Sequence, residues 1–134
     1  MKKAIRGFTL VEIIIVLLIL AILSAIAIPT MLGMVKEARD SEKIAEARVG
    51  YVAAMIGLDR YLVSLNGDFK KADAYYVIRD EILKHTDDKV FAIYSWNYDE
   101  TTHKIKDITF LFYDDHEYVK FDANKVAKLI EDPK

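Results

Sequence analysis

From Phe8 to Ile28 the chain is apolar at nearly every position, with Thr9, Glu12 and Ser24 as the polar exceptions. About 21 residues of helix span roughly 31 Å, enough to cross a bilayer. Beyond the span the pattern turns periodic. Ile44, Ala47, Tyr51, Met55, Leu58, Leu62 and Leu65 recur at intervals of three or four, and Lys36, Glu37, Arg39, Asp40, Glu42, Lys43, Glu46, Arg48, Asp59 and Arg60 fill the other face. That is an amphipathic helix, and Asn66-Gly67 stops it. Taken as continuous from Phe8 to Leu65, the helix is about 58 residues and roughly 87 Å long. No small soluble domain needs such a helix.

Downstream, Phe69 to His85 shows helical spacing in Ala72, Tyr75, Tyr76, Ile78, Ile82 and Leu83. Lys89 to Tyr98 is rich in β-branched and aromatic residues and reads as a strand with Val90, Ala92, Tyr94 and Trp96 on one face. A turn at Asp99-Glu100-Thr101-Thr102 leads to a second strand, Lys104 to Tyr113, carrying Ile105, Ile108, Phe110 and Phe112. Asp114-Asp115 turns into a third, Glu117 to Phe121, and a last short helix is expected over Ala123 to Ile130. The fold class is α+β: a long N-terminal helix, half transmembrane and half amphipathic, packed against a small three-stranded antiparallel sheet with short flanking helices. No linker separates the sheet from the helix.

Two residues should loosen the long helix. Pro29 lacks an N–H and its ring crowds the carbonyl of Ala25, and Gly33 adds backbone freedom one turn on. A kink is expected between Ala25 and Gly33.

Glu12 is the anomaly of the apolar span. A carboxylate in a membrane helix costs a few kcal/mol, so it calls for a partner. The seven residues before Phe8 hold Lys2, Lys3 and Arg6 and no acid. A signal anchor fits basic residues inside and the remainder displayed outside. A cleaved secretory signal fits the small-x-small tripeptide Ala25-Ile26-Ala27, although the apolar run is long for one and Pro29 would follow the cut closely. The third reading is the class III leader. Gly7, Phe8, Thr9, Leu10, Val11 and Glu12 resemble, position by position, the processing motif of type IV pilins and pseudopilins, and Pro29 falls where such pilins often carry a proline.

Charge and composition narrow the functions. The whole chain carries −2; without its first seven residues 16 cations face 21 acids, about −5. Such a chain is a poor non-specific ligand for DNA or anionic lipid, and no direct nucleic-acid binding is expected. Cysteine is absent, which excludes disulfides, thiol catalysis and thiolate metal sites. His85, His103 and His116 show no metal-ligand spacing. The acidic pairs Asp87-Asp88, Asp99-Glu100 and Asp114-Asp115 match no EF-hand loop, and aspartates at turns usually bond their own backbone. Ser24, Ser41, Ser64 and Ser95 lack a glycine elbow, and phosphate-loop and dinucleotide glycine patterns are missing. No enzyme activity, cofactor or metal is expected. The aromatics Tyr75, Tyr76, Tyr94, Trp96, Tyr98, Phe110, Phe112, Tyr113, Tyr118 and Phe121 read as core rather than as a binding platform.

The resemblance implies a pilin fold and a history. Residues 1–7 would be a leader cleaved after Gly7, 8–30 a transmembrane and polymerisation segment, and 31–134 a globular domain including the second half of the helix. A prepilin peptidase would recognise Gly7, Phe8, Glu12 and the basic Lys2, Lys3 and Arg6, cut, and methylate the amine of Phe8. Phe8, Thr9 and Glu12 would then guide assembly, Glu12 pairing with the Phe8 amine of a neighbour. The implied product is a homopolymer, a type IV pilus filament outside the cell, built from a single-pass membrane precursor at an inner-membrane assembly platform. The complete leader and Glu12 suit a major subunit. A pseudopilin of a type II secretion or competence system, or a membrane-anchored interaction module that never polymerises, are the alternatives.

Overall fold

The computed structural model describes residues 7–86, 91–122, 124, 127–130 and 132–133. The basic residues Lys2, Lys3 and Arg6, the pair Asp87-Asp88, and the predicted strand start at Lys89 and Val90 lie outside these. One helix, α1, runs from Leu10 to Ser64. Contacts divide the chain into two compact units, one ending at Arg39 and one beginning at Asp40, and each is described by itself.

In the first unit α1 is exposed along its whole length. Leu10, Ile14, Leu17, Leu20, Leu23, Ile28, Met31 and Val35 are all at least half open. Helical assignment passes unbroken through Pro29 and Gly33. Proline removes the donor that would have met the carbonyl of Ala25. One residue on, the Thr30 hydroxyl donates to the carbonyls of Ala27 at 2.8 Å and Ile26 at 3.5 Å, a bonding pattern that often bends helices slightly.

The second unit packs the remainder of α1 against helix α2 (Lys71–Leu83) and a four-stranded antiparallel sheet, β1 (Phe91–Asp99), β2 (Lys104–Phe112), β3 (Glu117–Phe121) and β4 (Ala127–Ile130), in the order β1-β2-β3-β4. The sheet and helix class is as the sequence predicts, but the face that α1 buries is built largely from small residues. Ala47, Gly50, Ala53, Ala54 and Gly57 are buried with Tyr51, Leu58 and Tyr61, whereas Met55, Leu62 and Leu65 pack only partly. Close approach explains this. A Cβ placed on Gly57 would stand 2.8 Å from the Cα of Ile78, and one on Gly50 would stand 2.9 Å from the Phe91 ring. The absence of a side chain at each position lets α2 and β1 come in to where Leu58, Ile78, Phe110 and Phe121 can fill the centre. On α2 the buried positions are Ala74, Ile78, Glu81 and Ile82, while Ala72 and Tyr76 are exposed.

Rings finish the core. Tyr51 stacks on Phe121 with centroids 4.9 Å apart, and Phe110 meets both Phe91 and Phe121 edge-on. After α1, Gly67 takes φ +141°, a conformation that glycine alone adopts readily. The chain then returns through Phe69, which stacks on Tyr98 at 3.9 Å and meets Tyr61 edge-on. The Tyr61 hydroxyl accepts the Lys70 N–H at 3.1 Å, which fixes where α2 begins.

Two expectations about the sheet need correction. Ala92, Tyr94 and Trp96 do not share a buried face. Pairing runs Ile93↔Phe110 and then Ser95↔Thr109, so Tyr94 is an extra residue in a bulge and inward parity switches from Phe91 and Ile93 to Trp96 and Tyr98. A second irregularity, between Asn97↔Asp107 and Tyr98↔Ile105, leaves Lys106 as the extra residue of β2. This is how Ile105 reaches the core together with Ile108, Phe110 and Phe112 despite the odd spacing.

The second correction concerns the end of the chain. In place of a helix over Ala123 to Ile130, residues 127–130 form β4, with Val119↔Leu129 and Phe121↔Ala127 in register with β3. Asp122 turns the chain by accepting the Asn124 N–H at 2.9 Å. An eight-residue helix is marginal alone, whereas a strand here satisfies the open edge of β3 and turns Ala127 and Leu129 toward the core. Four strands replace three.

Charges tie the surface of this unit down. Glu81, with its side chain 3% exposed, accepts from Arg60 at 2.6 Å and Lys84 at 3.0 Å, with His85 3.6 Å away. The Lys84 hydrogen bond and the Arg60 charge outweigh the desolvation and hold its carboxyl below the ordinary glutamate value. Lys43, also largely buried, bonds Asp115 and, at 2.6 Å, Glu117. Burial pulls its ammonium down, but the two carboxylates outweigh that and leave it above the ordinary lysine value.

Two outcomes follow for the detergent-solubilised chain. Gly57→Ala should cost roughly 1–3 kcal/mol by chemical denaturation, since the added methyl meets main chain that cannot swing aside. Glu81 binds its proton less readily folded than unfolded, so its contribution is complete above about pH 4.5 and fades as pH falls through the lower folded value. Glu81→Gln should therefore flatten the fall of Tm with acidification below pH 4.5, as differential scanning fluorimetry would show.

Candidate processing and assembly site

The sequence-predicted site gathers at the start of α1. Gly7, Phe8 and Thr9 lie outside any helix, and α1 begins at Leu10. The boundary is set by side chains. The Thr9 hydroxyl accepts the Glu12 N–H at 3.3 Å, and one Glu12 carboxylate oxygen accepts both the Thr9 N–H at 2.9 Å and the Thr9 hydroxyl at 3.0 Å. Thr9 is thus the N-cap and Glu12 its reciprocal partner three residues on, a capping box that satisfies two of the four orphan donors of a helix start. The Ile13 N–H continues the ladder to the Thr9 carbonyl at 3.3 Å. The carboxylate that looks stranded in the sequence is paired within its own chain. The pattern Thr-x-x-Glu is itself a legible signal for this box, hidden behind the charge of Glu12.

Neither Gly7 nor Phe8 is held by packing. Phe8 is 83% exposed, and a Cβ built on Gly7 meets nothing within 4 Å. Among the described residues, nothing at position 7 stands in the way of a side chain. Past Glu12 the exposed helix is long and apolar enough to cross a membrane.

Residues 2–28 match the prokaryotic N-terminal methylation motif. That motif is the one found in the class III leaders of type IV pilins and pseudopilins, and the match is confined to this segment of the chain. The match covers the basic start and the apolar span together, which fits a membrane-anchored precursor. No curated protein and no solved structure matches the chain.

Other candidate groups are structural by their contacts. Among the described residues no three or more histidines and acids gather as a metal site would require. Asp115 and Glu117 are drawn onto Lys43, and Asp99 accepts the N–H groups of Thr101 and Thr102 within its own turn. His103 and His116 adopt φ +54° and +53° at their turns, and His103 Nδ1 bonds the Tyr98 hydroxyl. Lys43, which the sequence pattern places on the polar face, and Glu81, which it does not single out, are the ionic centres of the second unit. A charge at a core-facing helical position was the available sign for each.

Proposed function

We propose that this chain is a structural subunit of a type IV pilus filament. The observation that carries the reading is the match of residues 2–28 to the N-terminal methylation motif, and the wholly exposed apolar helix behind it supports it. The precursor would insert with Lys2, Lys3 and Arg6 on the cytoplasmic side. A prepilin peptidase would hydrolyse the Gly7–Phe8 bond, water leaving a carboxylate on Gly7 and an amine on Phe8, and that amine would be methylated. Residues 8–30 would then pass from lipid into a bundle of like helices at an assembly platform, while residues 31–134 form the surface of the fibre. Loosening around Pro29 and Gly33 would help the helix fit that bundle.

Glu12 has the central part. In the mature subunit its carboxylate would pair with the Phe8 amine of a neighbour, because in an apolar bundle an unpaired charge of either sign is strongly disfavoured. Such a pair sets register and recruitment more than stability. Glu12 as the fifth residue of the mature chain suits a major subunit.

Glu12→Gln is the informative variant, since glutamine can still close a capping box but carries no charge. It should insert and be processed like the parent, yet cut filament yield at least tenfold in sheared-pilus preparations; parental yield would remove the ionic role of Glu12. Gly7→Leu should leave the fold intact and full-length precursor in the membrane. Mass analysis of the native amino-terminus checks the cut itself, for which N-methyl-Phe8 is the expected end. An unprocessed Met1 would favour an anchor that never polymerises.

A further inference from the structure

The capping box stands two residues from the bond that the leader reading says is cut, and this bears on how that bond is presented. In a helix, carbonyls and N–H groups are committed to one another and the backbone is wrapped by neighbouring side chains, so proteases cut where the chain is non-helical and open. The residues that follow Glu12 favour helix strongly, and a stop signal fixes where such a helix begins. Thr9 supplies the stop. Its N–H is occupied by the Glu12 carboxylate and its hydroxyl by the Glu12 N–H, and Gly7 and Phe8 consequently lie outside the helix and open to their surroundings.

We propose that Thr9 is a positioning residue for leader removal: by capping α1 at Leu10 it keeps the Gly7–Phe8 bond out of the helix and open to the peptidase. The proposal rests on the leader reading. It assigns Thr9 a role before cleavage, distinct from any part in assembly. It also separates two requirements that a motif merges. Glycine at position 7 serves the enzyme, since no described residue crowds it, whereas threonine at position 9 serves the shape of the substrate.

The test is timed cleavage of the purified full-length precursor by a prepilin peptidase in detergent, read by mass spectrometry, for the parent, Thr9→Val, Thr9→Ser and Thr9→Asn. Valine keeps the shape without a cap and should slow cleavage about fivefold, the factor that loss of an ordinary N-cap produces in a helix-start equilibrium. Serine and asparagine both cap well and should restore the parental rate. Backbone chemical shifts of residues 7–9 in the uncleaved precursor should turn helical in Thr9→Val and stay non-helical in the other three. Parental cleavage of Thr9→Val, or slow cleavage with shifts unchanged, overturns the proposal. Rescue by serine but not asparagine also overturns it, because direct recognition of the hydroxyl would then be the cause. An uncleaved parent is a different failure, which overturns the leader reading and this proposal with it.

Discussion

An apolar helix surface with nothing packed on it has to find something other than water. Every large apolar side chain from Phe8 to Val35 is open, and burial of such a side chain contributes about 1.5–3 kcal/mol. Summed over the segment, this is far more than the net stability of a small domain. The first unit therefore cannot be understood as a folded object in solution. Lipid is one such surrounding, the bundle of like helices proposed above would be another, and each would also have to accommodate one carboxylate.

The accommodation differs between the two surroundings. Before processing, Glu12 bonds Thr9 in its own chain, which lowers the cost of carrying a carboxylate near the membrane boundary. In the proposed filament, the Phe8 amine of a neighbouring subunit would offer a stronger, charged partner. The same side chain could serve both states, because a carboxylate has two oxygens and more acceptor sites than the box uses. The second unit meets the opposite problem. With no disulfide available, it holds together by close approach at glycines and alanines, by stacked rings, and by two nearly buried ionic centres.

Much of this was written in local pattern. The apolar run, the turn at Asn66-Gly67, the helix ending near Leu83 and the hairpins at Asp99 and Asp114 follow from periodicity and turn chemistry, which act over a few residues. What escaped depends on partners distant in sequence. Small residues at Gly50, Ala53 and Gly57 look like gaps in an amphipathic stripe until α2 and Phe91 are seen pressed into them. The bulge at Tyr94 is set by its pairing with β2, and no alternation rule for one strand can reveal it. Ala127 to Ile130 satisfies helix and strand spacing equally, and the open edge of β3 decides the matter. At the start of α1 the capping box lies in the Thr-x-x-Glu spacing, but the charge of Glu12 in an apolar run draws attention away from its distance to Thr9.

The two glycine contacts differ in what could repair them. The atom that a methyl at position 50 would meet belongs to the side chain of Phe91, so a larger residue at 50 could be accommodated by a smaller one at 91, and the pair is free to drift together. The atom opposite Gly57 is the Cα of Ile78, which all twenty amino acids possess. No substitution at 78 can vacate that space. Position 57 thus has no compensating partner in the chain: the crossing of α1 and α2 is locked by backbone, and it can change only if the two helices move apart.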